Sequence, residues 1–361
     1  MKYGEANNQT MIEIDGALGE GGGQVLRSAL SLSIITGKAF RINNIRARRS
    51  KTGLMAQHLK AVDASAAISR ANVQGAVLGS SSLLFEPGEI RTGRYKFEIG
   101  TAGSTSLVLQ TILLPLSLAG SASTVIISGG THVPSSPSYH YLDINWRPMM
   151  QNAGYDFQLS LDQAGFYPQG GGRITATIRP IHRVAPLQVE RRGELLRLIG
   201  ISAVANLDRS IADRQKRQAT GRLLRHFPSL LIKTISLPAQ NKGTFLLLAA
   251  EFASGVGAHP ARCCFCALGE LGKPAERVAD EAVDSFITFL QSGGAIDHHL
   301  ADQLLLPLAL ASGPSILSSA RITQHLLTNA EVIRYFLPVE IDIFGVLGEP
   351  GTIRIVPIPD R

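Results

Sequence analysis

The stretch DGALGEGGGQVLRSALSLS, residues 15–33, places glycines around one glutamate, Glu20, and then turns apolar. The alternating segment MIEID (11–15) predicts a strand before the turn, and the apolar spacing after it predicts a helix that ends at Gly37. Consecutive glycines before a helix leave backbone N–H groups exposed at the positive end of the helix dipole. The stretch therefore predicts a strand, a turn and a helix, and the turn is either an anion site or a plain tight turn.

The glutamate at position 20 helps to distinguish an anion site from a plain tight turn. A carboxylate inside an anion-binding turn makes sense if it holds a divalent cation that itself binds phosphate. The alternative is an exposed glutamate in an ordinary turn. The stretch matches neither a Walker A loop nor the G-x-G-x-x-G fingerprint of dinucleotide-binding folds.

The same succession of strand, small-residue turn and helix recurs along the chain, with hairpins between its copies. No strict short-period repeat is visible, which argues against a solenoid, and a few diverged copies of one α/β unit fit better. The sequence thus predicts an α+β fold. The segments that carry this prediction are FRINNIRA (40–47), LMAQHLKAVDASAAIS (54–69), YKFEIG (95–100), a helix at 107–119, and hairpins at 155–180 and 337–358.

Residues 185–280 differ from this pattern, because a strongly basic helix at about 208–226 precedes three strands. We predict a smaller α/β domain here, inserted into a core formed by residues 11–184 and 281–361. The basic helix is either a solvated face or a surface that contacts RNA. A net charge of +7 permits a polyanionic partner without requiring one.

The three cysteines lie together at 263, 264 and 266, so they form no disulfide framework, and the run RCCFCAL predicts a buried strand. Unpaired cysteines favour a reducing compartment, and the polar segment 1–10 lacks the apolar region of a signal peptide. The longest apolar run, 107–120, contains Gln110 and Pro115 and is too short to span a bilayer. We therefore expect a cytoplasmic protein without a membrane segment.

A basic segment, IRARRSKTG (45–53), follows the strand at 40–47. If that strand continues, Arg46 and Arg48 share one face while Arg49 points the other way. Such a cluster either binds phosphate through bidentate guanidinium bonds or is a basic surface loop. The turn TAGSTS (101–106) is likewise either an anion site or a helix cap through Thr101 or Ser104.

Two further segments place polar groups on apolar helices. In DHHLADQ, His299 and Asp302 lie three residues apart on one helix face with Gln303 beside them, which indicates either a cleft wall or an ordinary amphipathic helix. Gln110 lies inside an apolar helix and needs a polar partner.

His325, at the start of HLLTNAEVIRYF, is either a capping or half-buried histidine or a nucleophile or base.

Taken together, these motifs resemble the RNA 3′-terminal phosphate cyclase family over nearly the whole chain from about Met11. The resemblance rests on motifs that occur here in the family's order: GEGGGQVLR (19–27), IRARRSKTGL (45–54), GTAGSTSLVLQT (100–111), SGGTHVPSSP (128–137), GFYPQGGG (165–172), HLADQLLLPLALA (299–311) and HLLTN (325–329). It implies a large domain of three similar α/β units, an alpha-beta prism related to the enolpyruvyl transferase fold, with a smaller inserted α/β domain.

The resemblance also implies a reaction. The family uses ATP and a divalent metal, Mg²⁺ or Mn²⁺, to convert an RNA 3′-terminal phosphate into a 2′,3′-cyclic phosphodiester. A histidine attacks the α-phosphorus of ATP, which gives a covalent histidinyl-AMP and pyrophosphate. AMP then passes to the RNA 3′-phosphate, and the vicinal 2′-OH closes the ring and expels AMP.

By motif position, the resemblance makes His325 the adenylylated nucleophile and Glu20 the metal-linked carboxylate. The positions that match nucleotide-binding residues are Gln110, Pro137, His299, Asp302 and Gln303, with Pro137 packed on adenine. The positions that match phosphate or RNA contacts are Gln24, Arg27, Arg46, Arg49 and Gln57.

Two departures from the family pattern concern the nucleotide. His299 stands where the family often has a tyrosine that stacks on adenine, and HVPSSPS follows SGGT where DNPSAPP is common. Three rivals stay open: a non-catalytic relative acting in ribosomal RNA processing, an enolpyruvyl transferase and a plain RNA-binding protein. The cellular RNA, the preferred metal and the oligomeric state do not follow from the sequence.

Overall fold

The computed structural model describes residues 11–256 and 259–358, and residues 1–10, on which the prediction of no signal peptide rests, lie outside this part. The described chain is a mixed α/β protein, so the predicted class is confirmed at that level. Its helices are α1 (Gly23–Thr36), α2 (Ala56–Ser69), α3 (Thr105–Ser117), α4 (Tyr139–Tyr141), α5 (Arg147–Asn152), α6 (Ser210–Leu223), α7 (Ala275–Ser292), α8 (His298–Ala309) and α9 (Gln324–Phe336), with a π-helical segment (Leu142–Trp146) that joins α4 to α5.

The strands of the described residues form four sheets of four strands each. They are β1 (Ile12–Asp15), β2 (Phe40–Asn43), β3 (Asn72–Gln74), β4 (Leu83–Glu86), β5 (Arg94–Glu98), β6 (Ser123–Gly129), β7 (Phe157–Gln163), β8 (Gly172–Ile178), β9 (Gln188–Val189), β10 (Leu195–Ala205), β11 (Leu231–Ser236), β12 (Gly243–Val256), β13 (His259–Leu268), β14 (Ser315–Ser319), β15 (Val339–Phe344) and β16 (Gly351–Pro357).

Three of these sheets repeat one topology. Their orders are β1-β2-β4-β3, β5-β6-β8-β7 and β9-β14-β16-β15. In each, the first two strands are parallel and the next two pairings are antiparallel. A parallel pair needs a crossover, and a helix supplies it: α1 between β1 and β2, α3 between β5 and β6, and α8 before β14.

The fourth sheet, β11-β10-β12-β13, lies along the chain between β9 and α8. Side chains alternate across it, so both faces are buried. Leu246 and Leu248 of β12 pack with α6 and α7, while Phe245 and Leu247 join the main core. Cys263 packs on the side of α6 and α7 and Cys264 packs in the main core, which confirms the predicted buried cysteine strand.

The division into domains at 184/185 and 280/281 stays a prediction. Two observations bear on its boundaries. β9 lies within 185–280 but pairs with β14 of the third repeated sheet. Helix α7 extends across residue 280, and its buried residues from Val278 to Phe289 belong to the apolar cluster of the fourth sheet.

The predicted strand at 40–47 is wrong at its end. Strand β2 stops at Asn43, and the next residues form two tight turns, closed by bonds from the amide of Ala47 to the carbonyl of Asn44 and from Arg49 to Arg46. Asn44 and Arg46 have φ angles of 54° and 57°, in the left-handed region that ends a strand. The predicted division of the arginines between strand faces therefore does not occur.

Other local predictions are confirmed. Helix α1 ends before Gly37, which has a φ of 71°. The apolar run at 107–120 falls largely on α3, which is buried and contains Pro115. No helix in the described ranges is long and apolar enough to cross a membrane. A cytoplasmic location stays a prediction.

Candidate active site

The first two turns of five helices are joined by side-chain contacts that cross from one helix to the next. On α1, Gln24 contacts His325 of α9. On α8, Gln303 accepts a 2.9 Å bond from Gln110 of α3. Asp302 of α8 accepts from the α9 cap Thr323, and Gln57 of α2 accepts from the amide of Ser104 at the start of α3. Gly23 of α1 lies against the side chain of His58 of α2. Because helix amino termini carry partial positive charge and unpaired N–H groups, such a convergence favours anions.

The glycines of the opening stretch make the approach of α1 to α2 possible. A Cβ placed on Gly23 would lie 2.3 Å from Nε2 of His58. Gly19 has a φ of 56°, and a Cβ there would lie 1.9 Å from Oγ1 of Thr328. The turn therefore needs glycine at both positions, for space at one and for space and conformation at the other.

His325 is the second residue of α9 and lies within its capped first turn. Thr323 is the cap, and its hydroxyl accepts a 2.9 Å bond from the amide of Leu326. Nδ1 of His325 lies 2.6 Å from Oε1 of Gln24. An amide oxygen only accepts, so this contact places the ring proton on Nδ1 and leaves the Nε2 lone pair free.

The charges around His325 are arranged in a chain. Nε2 lies 3.4 Å from Oε2 of Glu20, and the same oxygen lies 2.8 Å from Arg49. Partial desolvation lowers the pKa of His325 below its ordinary value, Glu20 opposes that shift, and Arg27 and Arg49 add to it. With 46% of its side chain exposed, His325 is both accessible and neutral at pH 7.

Arginines supply the positive charge of the site. Burial lowers the pKa of Arg27 to about 10, so its guanidinium stays charged at neutral pH. Burial and the charge of Arg49 also lower the pKa of Arg46, whose Nε donates to the carbonyl of Lys51 at 3.2 Å. Arg48 donates to the carbonyl of Gly19 at 2.9 Å and so ties this basic turn to the glycine turn.

A cleft with a cavity volume of about 160 Å³, open to solvent on one side, lies between α1, α3 and α8. Burial raises the pKa of Asp302 to about 7, and the hydroxyl of Thr323 donates to this carboxyl at 2.8 Å. Seven of the predicted residues line the cleft: Gln24, Arg27, Gln110, Pro137, His299, Asp302 and Gln303.

Three of the other predicted residues adjoin this cleft, because Gln24 connects it to His325, Glu20 and Arg49. Gln57 uses its side-chain oxygen to accept from the amide of Ser104, so in this structure it supports the start of α3. The structure thus brings the candidates into one region, while the role of each stays a prediction.

Sequence reasoning missed several polar residues here. His58 is buried, and burial together with Arg27 and Arg46 lowers its pKa to about 3. Its Nδ1 accepts from the amide of Met55 at 3.1 Å, so its Nε2 carries a proton beside Gly23. The sequence signal that could have identified His58 is its position directly after the candidate residue Gln57. Asn329 and Ser28, joined at 2.6 Å, were also missed.

The site suits a divalent cation shared with phosphates. Within residues 11–256 and 259–358, no group of three or more His, Cys, Asp or Glu side chains is arranged to hold a metal alone. Mg²⁺ commonly takes one or two carboxylates and completes its shell with water and phosphate oxygens. Glu20 offers such a carboxylate, and the contacts of Arg49 and His325 with its Oε2 place it beside the candidate nucleophile.

A cleft that is lined by Arg27 and adjoins helix amino termini, with the imidazole of His325 next to its lining residue Gln24, suits a ligand that carries phosphates. Comparison with known proteins makes this specific: residues 18–343 match the family model described as RNA 3′-terminal phosphate cyclase. The chain therefore belongs to the RNA 3′-terminal phosphate cyclase family, and the enzyme class predicted from the motifs is confirmed.

Curated relatives agree over most of their length. The chain is 47% identical to an RNA 3′-terminal phosphate cyclase of Ectopseudomonas mendocina over 335 residues, covering 92% of this chain and 95% of the relative. It is 43% identical to that of Koribacter versatilis, covering 92% of each chain. It is 40% identical to that of Methanopyrus kandleri, covering 96% of this chain and 99% of the relative.

Proposed function

We propose that this protein converts an RNA 3′-terminal phosphate into a 2′,3′-cyclic phosphodiester at the expense of ATP, through a histidinyl-AMP at His325 and an RNA-adenylate. AMP and pyrophosphate leave. The observation that carries the proposal is the bond between Nδ1 of His325 and Gln24, which leaves the Nε2 lone pair available for attack beside a cleft lined by Arg27.

Binding comes first. The nucleoside of ATP would occupy the cleft between Pro137 and His299, with Asp302 and Gln303 beside it. The triphosphate would reach the amino terminus of α1, where Arg27 and Arg49 offset its charge. A divalent metal held by Glu20 would supply further charge neutralisation on the phosphates when bound.

In the first step, Nε2 of His325 attacks the α-phosphorus and the bond from that phosphorus to the pyrophosphate oxygen breaks. The Nδ1 proton stays on the ring, so the adenylylated imidazole is positively charged. Gln24 accepts the hydrogen bond from that N–H, and the Glu20 carboxylate near Nε2 offsets the charge. A covalent step of this kind divides one difficult condensation into easier ones.

In the second step, an oxygen of the RNA 3′-phosphate takes AMP from His325, and the neutral imidazole is released. The 2′-OH then attacks the activated phosphorus, its proton passes to solvent, and the bond from that phosphorus to AMP breaks. Arg46, Arg49 and Gln57 are the residues we assign to the RNA phosphate, because they lie around the amino termini of α1 and α2.

The finer architecture belongs to the same proposal. We infer that the three sheets of common topology form the three units of an alpha-beta prism, and that the β10–β13 sheet with α6 and α7 is the inserted domain. The repeated strand order and the position of the fourth sheet between β9 and α8 support this. Its contribution to RNA binding is not part of the proposal.

The test is labelling with α-³²P-ATP. We expect wild type to form an acid-labile radioactive adduct, and His325→Ala to form none. His182→Ala, which changes an exposed histidine outside the cleft, serves as the matched control and should label normally. An unlabelled wild type would refute the mechanism, and labelling of His325→Ala would refute the residue assignment.

RNA ends provide the second half of the test. An RNA with a 3′-phosphate should yield a cyclic end with AMP released in equal amount, and one with a 3′-OH should yield none. A cyclic product from the 3′-OH end would contradict activation of the phosphate. Labelling without cyclisation of any RNA would favour a non-cyclising relative.

A further inference from the structure

Asp297, just before α8, is a buried carboxyl with three hydrogen-bond donors. Its exposed fraction is 3%. Oδ1 accepts from the amide of Leu300 at 3.0 Å, which caps the helix, and from the hydroxyl of Tyr141 at 2.8 Å. Oδ2 accepts from Nδ2 of Asn145 at 2.9 Å. The amide of Leu300 lies on α8, and the other two donors lie on the chain segment that forms the opposite wall of the cleft.

The donors on the partner side belong to one irregular helix. Tyr141 is the last residue of α4, and Asn145 lies in the π-helical segment that follows. The same stretch of chain supplies Pro137 and Trp146 to the cleft lining. A π-helical turn inside a helix is rare and often found at functional sites, because it changes the direction of the residues that follow.

Asp297 therefore joins the two walls of the cleft. One wall is α8, where His299 follows two residues after Asp297, and the other contains Pro137 and Trp146. A helix cap alone needs one oxygen acceptor, which a serine or threonine supplies without burying a carboxyl group. Burial of a carboxyl is costly unless hydrogen bonds satisfy it, so the two extra donors from the opposite wall require a reason.

We propose that Asp297, Tyr141 and Asn145 form a clamp that sets the spacing between Pro137 and His299, and hence the fit of the nucleotide base between them. Asp297 is a positioning residue: the groups that meet the nucleotide are those of the cleft. The inference rests on the proposed function, because it takes the ligand of the cleft to be ATP. A loosened clamp leaves His325 and its partner Gln24 intact and weakens only nucleotide binding.

The test compares three full-length variants by α-³²P-ATP labelling at varied ATP concentration. Asp297→Asn keeps the size of the side chain but cannot accept from all three donors, and Tyr141→Phe removes one donor. Tyr139→Phe is the matched control, because its hydroxyl donates to the carbonyl of Leu159 in β7 at 3.3 Å and not to α8. All three remove a tyrosine or carboxyl contact from the same buried region.

We expect Asp297→Asn and Tyr141→Phe to raise the ATP concentration for half-maximal labelling by roughly 3- to 10-fold, the effect of one weakened hydrogen bond. Their labelling rate at saturating ATP should stay within about twofold of wild type. Tyr139→Phe should change neither quantity. Equal effects in all three variants, or a fall in the saturated rate alone, would overturn the clamp.

Hydrogen exchange of the free protein gives a second readout that does not depend on the reaction. Asp297→Asn should speed exchange of the Leu300 amide and of the segment 141–146, while Tyr139→Phe should not. Failure of wild type to label would refute the proposed function, and unchanged exchange in Asp297→Asn would refute the clamp. If Asp297→Asn does not fold, Tyr141→Phe carries both measurements.

Discussion

Two arginine-rich stretches of this protein have opposite surroundings. In the turn at 46–49, the guanidinium groups lie beside the amino termini of α1 and α2, with Glu20 as the carboxylate in direct contact. In α6, arginines face the acidic side of α7: Arg214 pairs with Glu276 at 2.7 Å, and Arg222 pairs with Asp280 and Asp284 at 2.9 Å and 2.6 Å.

The difference shows that basic composition does not identify a binding surface. Arg214 and Arg222 of α6 lie opposite carboxylates of α7, so their charges are offset within the fold. The arginines near α1 face helix amino termini, which repel cations, and an anionic ligand would relieve that repulsion. The function of a charge therefore depends on which partner the fold places opposite it.

The largest difference is expected between Arg27, which lines the cleft beside α1, and Arg214 of α6. Arg27→Ala should lower the rate of ATP labelling by roughly 10²- to 10³-fold, the usual cost of losing a group that stabilises transition-state charge. Arg214→Ala, which loses an exposed ion pair, should change that rate by less than about twofold. Single-turnover labelling measures both, and comparable losses would mean that α6 also takes part in the reaction.

Two carboxylates, Asp302 in the cleft and Asp280 opposite the α6 arginines, have pKa values shifted in opposite directions and should respond differently to pH between 5 and 8. Burial raises the pKa of Asp302 to about 7, so between pH 4 and 7 the folded protein holds a proton that the unfolded chain has released, and stability falls as pH rises. Asp302→Asn has no carboxyl to titrate, so it does not lose stability in this way. The free energy of unfolding of Asp302→Asn relative to that of wild type should therefore increase from pH 5 to pH 8, by on the order of 1 kcal/mol.

Asp280 supplies the opposite case. Hydrogen bonds from Gln218 and Arg222 and the charge of Arg222 lower its pKa, against a smaller opposing effect of burial. Its stabilising contribution is present above its ordinary pKa and is lost as pH falls through the lowered value. Asp280→Asn should thus show the same loss at pH 5 and pH 8. Urea denaturation at both pH values measures the two variants, and parallel pH trends would contradict the assignment.

The smallest effects should come from glycines. Gly221 lies in α6, and a Cβ added there would meet no atom within 4 Å beyond its own stretch of helix backbone, so Gly221→Ala should raise the free energy of unfolding by about 0.5–1 kcal/mol. Gly23→Ala, at the start of α1, should instead lower it, because the new Cβ would meet His58. Thermal unfolding of both variants measures this, and a stabilised Gly23→Ala would show that the close approach of α1 and α2 is dispensable.

Much of the local structure followed from the sequence. Apolar period and capping residues predicted α1, α3 and α9 and the cysteine strand, because these depend on neighbours within a few residues. The motif order also identified the family. The end of β2 was predicted wrongly: Asn44 is of a residue type that takes positive φ angles more readily than most, but nothing in NNIRA indicates that Arg46 does so as well.

The repeated α/β pattern, the glycine turn that opens α1 and the set of polar residues available for chemistry can all be identified from the amino-acid sequence. Which of these residues meet depends on the folded chain: Gln24 and His325 are 301 residues apart, and Tyr141 and Asp297 are 156 apart. Helix and strand preferences act over only a few residues, so they do not encode such contacts. The free nitrogen of His325 and the spacing of the cleft arise from contacts between distant helices, which form only when the sheets and the core place those helices side by side.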